Sequence, residues 1–188
     1  MLPAPEKKPA PLARPLVILW VGPKHSGKTT NAARLVEKAR AEGFVVAGCL
    51  ALSVHENNRL VGFDLINLRS GAQTALARRE ATPGGDSRFR FLATGLTLGN
   101  EALDSAAATD ADLIIVDEFG PLEFAQEGWR AATDHLMLST QAVLLLVVRE
   151  ELAAEVQQLY RAATIRRLVA TRPESIDEVL IMLRNKRR

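Results

Sequence analysis

A run of apolar residues, LVILWV at 16–21, is the first of five such runs, the others lying at 44–49, 113–116, 142–148 and 165–170. Each has the length of a strand, and none is long enough to cross a bilayer. Between them, helical spacing predicts helices over 28–41, 101–108, 128–139, 150–162 and 174–184. Near-continuous apolar strands alternating with helices predict an α/β fold whose mostly parallel sheet is covered on both faces. No internal repeat interrupts the alternation.

One segment departs from it. After Gly48, CLALSV and RLVGFDLINL read as antiparallel strands joined at Asn57 and Asn58, residues that tolerate the positive φ of a tight turn. This predicts an antiparallel hairpin inserted after the second parallel strand. RSGAQ and ATPGGDSR then predict that 69–90 is the most irregular and mobile stretch, placed to cover a neighbouring site.

The 188 residues, 47% hydrophobic and 24% charged, fit one soluble α/β domain over 16–183. Residues 1–15 hold five of the nine prolines and no secretory signal, so they read as a disordered leader. The net charge of +2 hides basic ends, +2 from residues 1–14 and +4 from 184–188. The basic tail at 184–188 therefore reads as a solvated chain end, and a nucleic-acid partner is disfavoured. A single cysteine, Cys49, excludes an internal disulfide framework and suggests a cytoplasmic protein.

GPKHSGKT, directly after the first apolar run, matches G-x-x-x-x-G-K-[ST] through Gly22, Gly27, Lys28 and Thr29. With a strand before it and a helix after it, this loop can curl its N–H groups inward and cradle a di- or triphosphate. The expected nucleotide-binding segment comprises Gly22, Pro23, Lys24, His25, Ser26, Gly27, Lys28, Thr29 and Thr30. Lys28 is expected to contact the β- and γ-phosphates, and the Thr29 hydroxyl to ligate Mg²⁺. His25 occupies a free position of the motif and receives no role.

LIIVDEFGPLE, 113–123, is an apolar strand that ends in two acids. Asp117 at the strand's end is expected to make the second Mg²⁺ contact. Glu118 is expected to orient the attacking water and accept its proton, which turns a binding loop into half of a hydrolytic site. Gly120 and Pro121 turn the chain, so Glu123 either returns toward the metal or water or caps the next helix. Arg149 is either an in-chain arginine finger or a solvated strand end. Arg78, Arg79, Arg88 and Arg90 flank the irregular stretch, either covering a nucleotide or simply solvated. Trp20, Cys49, Phe63 and Trp129 read as core; His55 and His135 lack partners at metal-ligand spacing.

GPKHSGKT, VGFDLINLRSGAQTALARRE and ADLIIVDEFGPLEF together resemble the cancer-related nucleoside-triphosphatase family, from about residue 16 to residue 152. The resemblance implies a three-layer αβα P-loop fold with an extra strand between the phosphate-loop strand and the acidic strand. It also implies slow, Mg²⁺-dependent hydrolysis of several nucleoside triphosphates. By position it assigns phosphate binding to Gly22 through Thr30, Mg²⁺ to Thr29 and Asp117, and water activation to Glu118. Two departures stand out: Ala51 to His55 read ALSVH where the family has T-x-E-[IV]-R, and Phe119 and Leu122 replace Ile and Met.

A small-molecule or nucleotide kinase, and a nucleotide-dependent switch, are the alternatives to a nucleoside-triphosphatase. No base-reading motif is present, and no protein partner is indicated.

Overall fold

The computed structural model describes residues 15–81, 87–104 and 109–187. Eight strands form one sheet: β1 (Leu16–Gly22), β2 (Val46–Glu56), β3 (Arg59–Asn67), β4 (Gln73–Ala81), β5 (Ser87–Phe91), β6 (Leu113–Val116), β7 (Val143–Arg149) and β8 (Thr164–Val169). Their order is β5-β4-β3-β2-β6-β7-β1-β8. Strands β2, β6, β7, β1 and β8 pair in parallel, while β2 through β5 form an antiparallel meander. The described helices are α1 (Lys28–Ala41), α2 (Ala93–Leu103), the single turn α3 (Pro121–Phe124), α4 (Arg130–Ser139), α5 (Ala153–Leu159) and α6 (Ser175–Arg187).

Alternation along β1 shows how the three layers form. Val17, Leu19 and Val21 join a core with residues of α2, α4 and α5, whereas Ile18 and Trp20 join one with α1 and α6. The central strands β6 and β7 are buried almost end to end, as continuous apolar runs require when helices cover both faces. Strand β7 lies between β1 and β6, the extra strand expected from the family resemblance.

The five expected parallel strands form, as does the turn at Asn57 and Asn58, whose φ values are 48° and 61°. Strand β2 is at once the second parallel strand and the first arm of the hairpin. It pairs with β6 only over Val46 to Cys49 and then runs on to Glu56 beyond the end of β6.

Three expectations need correction. The stretch 69–90 is not mainly irregular: it supplies β4 and β5, and its ATPGG portion, 82–86, lies outside the described residues. Strand β4 carries a bulge at Leu76, unpaired between Asp64↔Ala75 and Phe63↔Ala77, so that Leu76 and Ala77 both pack into the α2-side core while Arg78 turns away to pair with Asp64. The helix expected at 101–108 instead runs over Ala93–Leu103, and 105–108 lie outside the described residues. Gly95 and Gly99 weaken the helical signal there, but both sit where α2 closely approaches its neighbours.

The basic tail expected from residue 184 is helical through Arg187. Arg184 pairs with Glu42 and Arg187 with Asp112, so these charges tie α6 to the end of α1 and to the start of β6. The leader expected at 1–15 lies outside the described residues except for Pro15.

Candidate active site

The loop between β1 and α1 turns through left-handed residues at His25 (φ 60°) and Gly27 (φ 85°), which curls successive N–H groups inward. Trp20, buried in β1, donates its indole N–H to the Lys28 carbonyl at 3.2 Å and pins the first turn of α1 to the sheet. The Lys28 ammonium folds over the loop and donates to the Pro23 carbonyl at 2.9 Å. Ser26 Oγ is buried with no hydrogen-bond partner, an orphaned polar atom inside the cradle that a phosphate oxygen would satisfy.

Strand β6 brings the second half. Thr29 donates its hydroxyl to Asp117 Oδ1 at 3.3 Å, joining residues 88 positions apart. Asp117 is fully buried and also accepts the Glu118 amide at Oδ1 (3.0 Å) and the Ala51 amide at Oδ2 (2.9 Å). Burial, reinforced by the nearby Glu118 charge, pushes the Asp117 carboxyl up to about 7. The Trp129 indole N–H holds the Asp117 carbonyl at 3.2 Å, fixing the end of the strand from the α4 side.

Glu118 takes the left-handed conformation, φ 58°, which costs about 1–2 kcal/mol for an L-residue. Its side chain is 40% exposed, lines the cleft, and lies 3.8 Å from the Arg149 guanidinium at the end of β7. Strain at a carboxylate beside a phosphate cradle is a common mark of function.

Glu123 is engaged differently. Oε2 accepts the Gly120 amide at 2.7 Å and Oε1 accepts the Trp129 amide at 2.9 Å, so both oxygens cap backbone groups. Burial raises its carboxyl above the usual range, against those two hydrogen bonds. Of the two roles weighed for it, capping is the one these contacts describe.

The cradle, Glu118, Glu123 and Arg149 border one cavity of about 840 Å³, which continues over the overhanging part of β2 and across the meander. Lys24, His25, Ser26, Gly27, Lys28, Thr29 and Thr30 all line it, so seven of the nine expected phosphate-loop residues converge there, while Gly22 and Pro23 do not line it. Of the four arginines near the stretch expected to be irregular, only Arg79 lines the cavity. Arg78 and Arg90 are committed to Asp64 and Glu80, and Arg88 is exposed.

The residues missed by sequence reasoning are Ala51, whose amide holds Asp117, and the rings of Phe89 and Phe91. Trp129 and Phe63, expected as core, pack into the core and line the cavity as well. A backbone amide leaves no sequence signal, and apolar alternation does not show which end of a strand outruns its neighbour.

A phosphate loop on β1, a buried aspartate at the end of β6 bonded to the loop threonine, and a sheet with an intervening strand define a P-loop nucleotide-binding protein. A family profile described as NTPase matches residues 17–180, and the chain belongs to that family of nucleoside-triphosphate hydrolases. Nucleoside-triphosphatase THEP1 of Methanocaldococcus jannaschii is 30% identical over 129 residues, covering 65% of this chain and 72% of the relative. THEP1 of Methanothermobacter thermautotrophicus is 28% identical over 173 residues, covering 88% and 92%. A human cancer-related nucleoside triphosphatase has the same fold at TM-score 0.70 and 20% identity, covering 94% of this chain and 100% of that one. No described helix is long and apolar enough to cross a membrane.

Proposed function

We propose that the chain hydrolyses nucleoside triphosphates to the diphosphate and phosphate with Mg²⁺ bound at Thr29 and Asp117. The observation that carries this reading is the Thr29–Asp117 hydrogen bond at 3.3 Å, with Glu118 next in sequence and directed into the same cleft. A hydroxyl and a carboxylate are the oxygen donors that Mg²⁺ prefers. A dication is also the charge that would favour ionised Asp117, which burial otherwise disfavours. When bound, the metal would neutralise charge on the β- and γ-phosphates.

The chain's own residues supply the rest. Loop amides and Ser26 Oγ hold phosphate oxygens, and the Lys28 ammonium exchanges the Pro23 carbonyl for the β- and γ-phosphates. Glu118 positions water for in-line attack and accepts its proton. Arg149, 3.8 Å from Glu118, steadies that carboxylate and offers its guanidinium to charge developing on the γ-phosphate. Lys28 and Glu118 are thus the catalytic pair, within one domain that runs from β1 through α6. The lone, buried Cys49 fits a reducing compartment such as the cytoplasm.

Phosphate release from ATP, GTP, CTP and UTP, with and without Mg²⁺, tests this reading. Glu118→Gln is expected to lower turnover by about 10²–10⁴-fold with nucleotide affinity kept, and Lys28→Ala to remove both. Wild-type turnover in Glu118→Gln would exclude Glu118 as the base.

A further inference from the structure

Hydrolysis needs room for one water beside Glu118, about 30 Å³, yet the cavity that begins at the phosphate loop continues past Glu118 over Ser53, Phe63, Leu76, Phe89 and Phe91. In-line displacement requires the nucleophile to approach the γ-phosphate from the side opposite the leaving oxygen. Asp117 and Glu118 stand at the end of β6, whose neighbour away from the phosphate loop is β2. Beyond its pairing with β6, β2 continues as one wall of the cleft. The large space past Glu118 therefore lies on the nucleophile's side, with the meander as its floor.

That floor carries rings. Pairing sets Phe63 opposite Ala77 and Ala77 opposite Phe91, so the two phenylalanines lie in one row across three strands. Phe89 meets Phe63 edge to face with centroids 5.2 Å apart, and the Arg79 guanidinium lies 5.5 Å over the Phe89 ring. Phe91 is 43% exposed, an unusual state for a large apolar side chain lining a cleft. Among the described residues Arg79 makes no ion pair, which leaves its donors for a ring carbonyl or an anionic substituent.

We infer that the meander floor binds a second substrate, a heteroaromatic alcohol whose ring lies against Phe63, Phe89 and Phe91 and whose hydroxyl reaches Glu118, so that the γ-phosphoryl group passes to it. The inference rests on the phosphate-site reading above and adds an acceptor to it. The hydroxyl oxygen forms a bond to Pγ, and the bond from Pγ to the β–γ bridging oxygen breaks with its electron pair leaving on the nucleoside diphosphate. The hydroxyl proton passes to the Glu118 carboxylate. The products are a phosphomonoester and the diphosphate, with no change of oxidation state.

The test gives the full chain γ-labelled ATP and, one at a time, adenosine, guanosine, cytidine, uridine, thymidine and pyridoxine. At least one is expected to take up label as a phosphomonoester and, without nucleotide, to quench tryptophan fluorescence through Trp129 at the cavity wall. Arg79→Ala and Phe91→Ala, both at exposed positions, are expected to lower transfer and quenching about tenfold, the scale of one lost stacking contact. Phosphate release from ATP alone is expected to stay within about twofold.

Labelling of none of the six overturns the inference. So does a base-dependent loss of nucleoside-triphosphate affinity in both variants, which would assign the rings to the nucleotide's own base. Transfer without any release from ATP alone would support the acceptor site while removing the hydrolase reading.

Discussion

Strands β6, β7 and β1 are buried on both faces, whereas the helix contacts of β3 and β4 come from α2. The doubly covered strands hold the phosphate loop and Asp117, groups whose positions must be kept to a fraction of an ångström. The meander strands put side chains into the same cleft and form its floor beside the phosphate loop. Under the function and acceptor site proposed above, reaction and selection are divided between two parts of one sheet. They meet at β2, which belongs to both.

The sharpest way to break this division is at the seam. Gly48 in β2 has φ 95°, and a Cβ there would lie 2.0 Å from the Ile115 carbonyl oxygen in β6. Gly48→Ala is expected to destabilise the protein by more than about 3 kcal/mol, read by urea unfolding. A loss below about 1 kcal/mol would mean that the two parts are not rigidly joined.

A milder break lies at Gly99 of α2, where a Cβ would come within 2.2 Å of the Trp129 ring. Trp129 holds the Asp117 carbonyl, so Gly99→Ala links the meander's helix to the reacting edge. Expected are about 1–3 kcal/mol of destabilisation, a shifted tryptophan emission, and phosphate release lowered about tenfold. Unchanged release with a shifted emission would show that Asp117 is held without Trp129.

The third prediction concerns pH at the outer attachment of α6. Burial alone would raise the Asp112 carboxyl, but the Arg187 guanidinium and the Val45 amide outweigh it and hold it below its ordinary value. A depressed carboxylate stabilises the fold above its unfolded pKa, about 3.9, and that contribution is lost as pH falls through the folded value. Asp112→Asn should therefore lower Tm at pH 7, and the difference from wild type should shrink toward pH 3. A constant difference would attribute the effect to packing instead of charge.

The smallest effect is expected at Cys49, buried at the seam, where desolvation pushes the thiol up to about 12. An aromatic disulfide reagent should leave it unlabelled in the native protein and label it fully in denaturant. Native labelling would show that the seam opens.

The legible parts of the sequence were those governed by local or periodic rules. Lys28–Ala41 and Leu113–Val116 form as their apolar spacing predicts, and the turn at Asn57 and Asn58 follows from the backbone tolerance of asparagine. Helix α2 was less legible because its glycines answer to tertiary contacts: Gly99 is small for the Trp129 ring, a partner thirty residues on. Strands β4 and β5 were obscured by the turn-forming residues that separate them.

By itself the sequence determined the alternating α/β plan, the phosphate cradle and the presence of two acids after an apolar strand, because each depends on residues adjacent in the chain. Only the tertiary structure decided what those acids contact. It set Asp117 against Thr29 and the Ala51 amide, directed Glu118 into the cleft, and engaged Glu123 with two backbone amides. It also carried β2 past the end of β6, so that rings from two later strands, β3 and β5, floor the cleft beside the phosphate loop. Such placements follow from register and relative strand length, which arise from the packing of distant segments and leave no local mark on the chain.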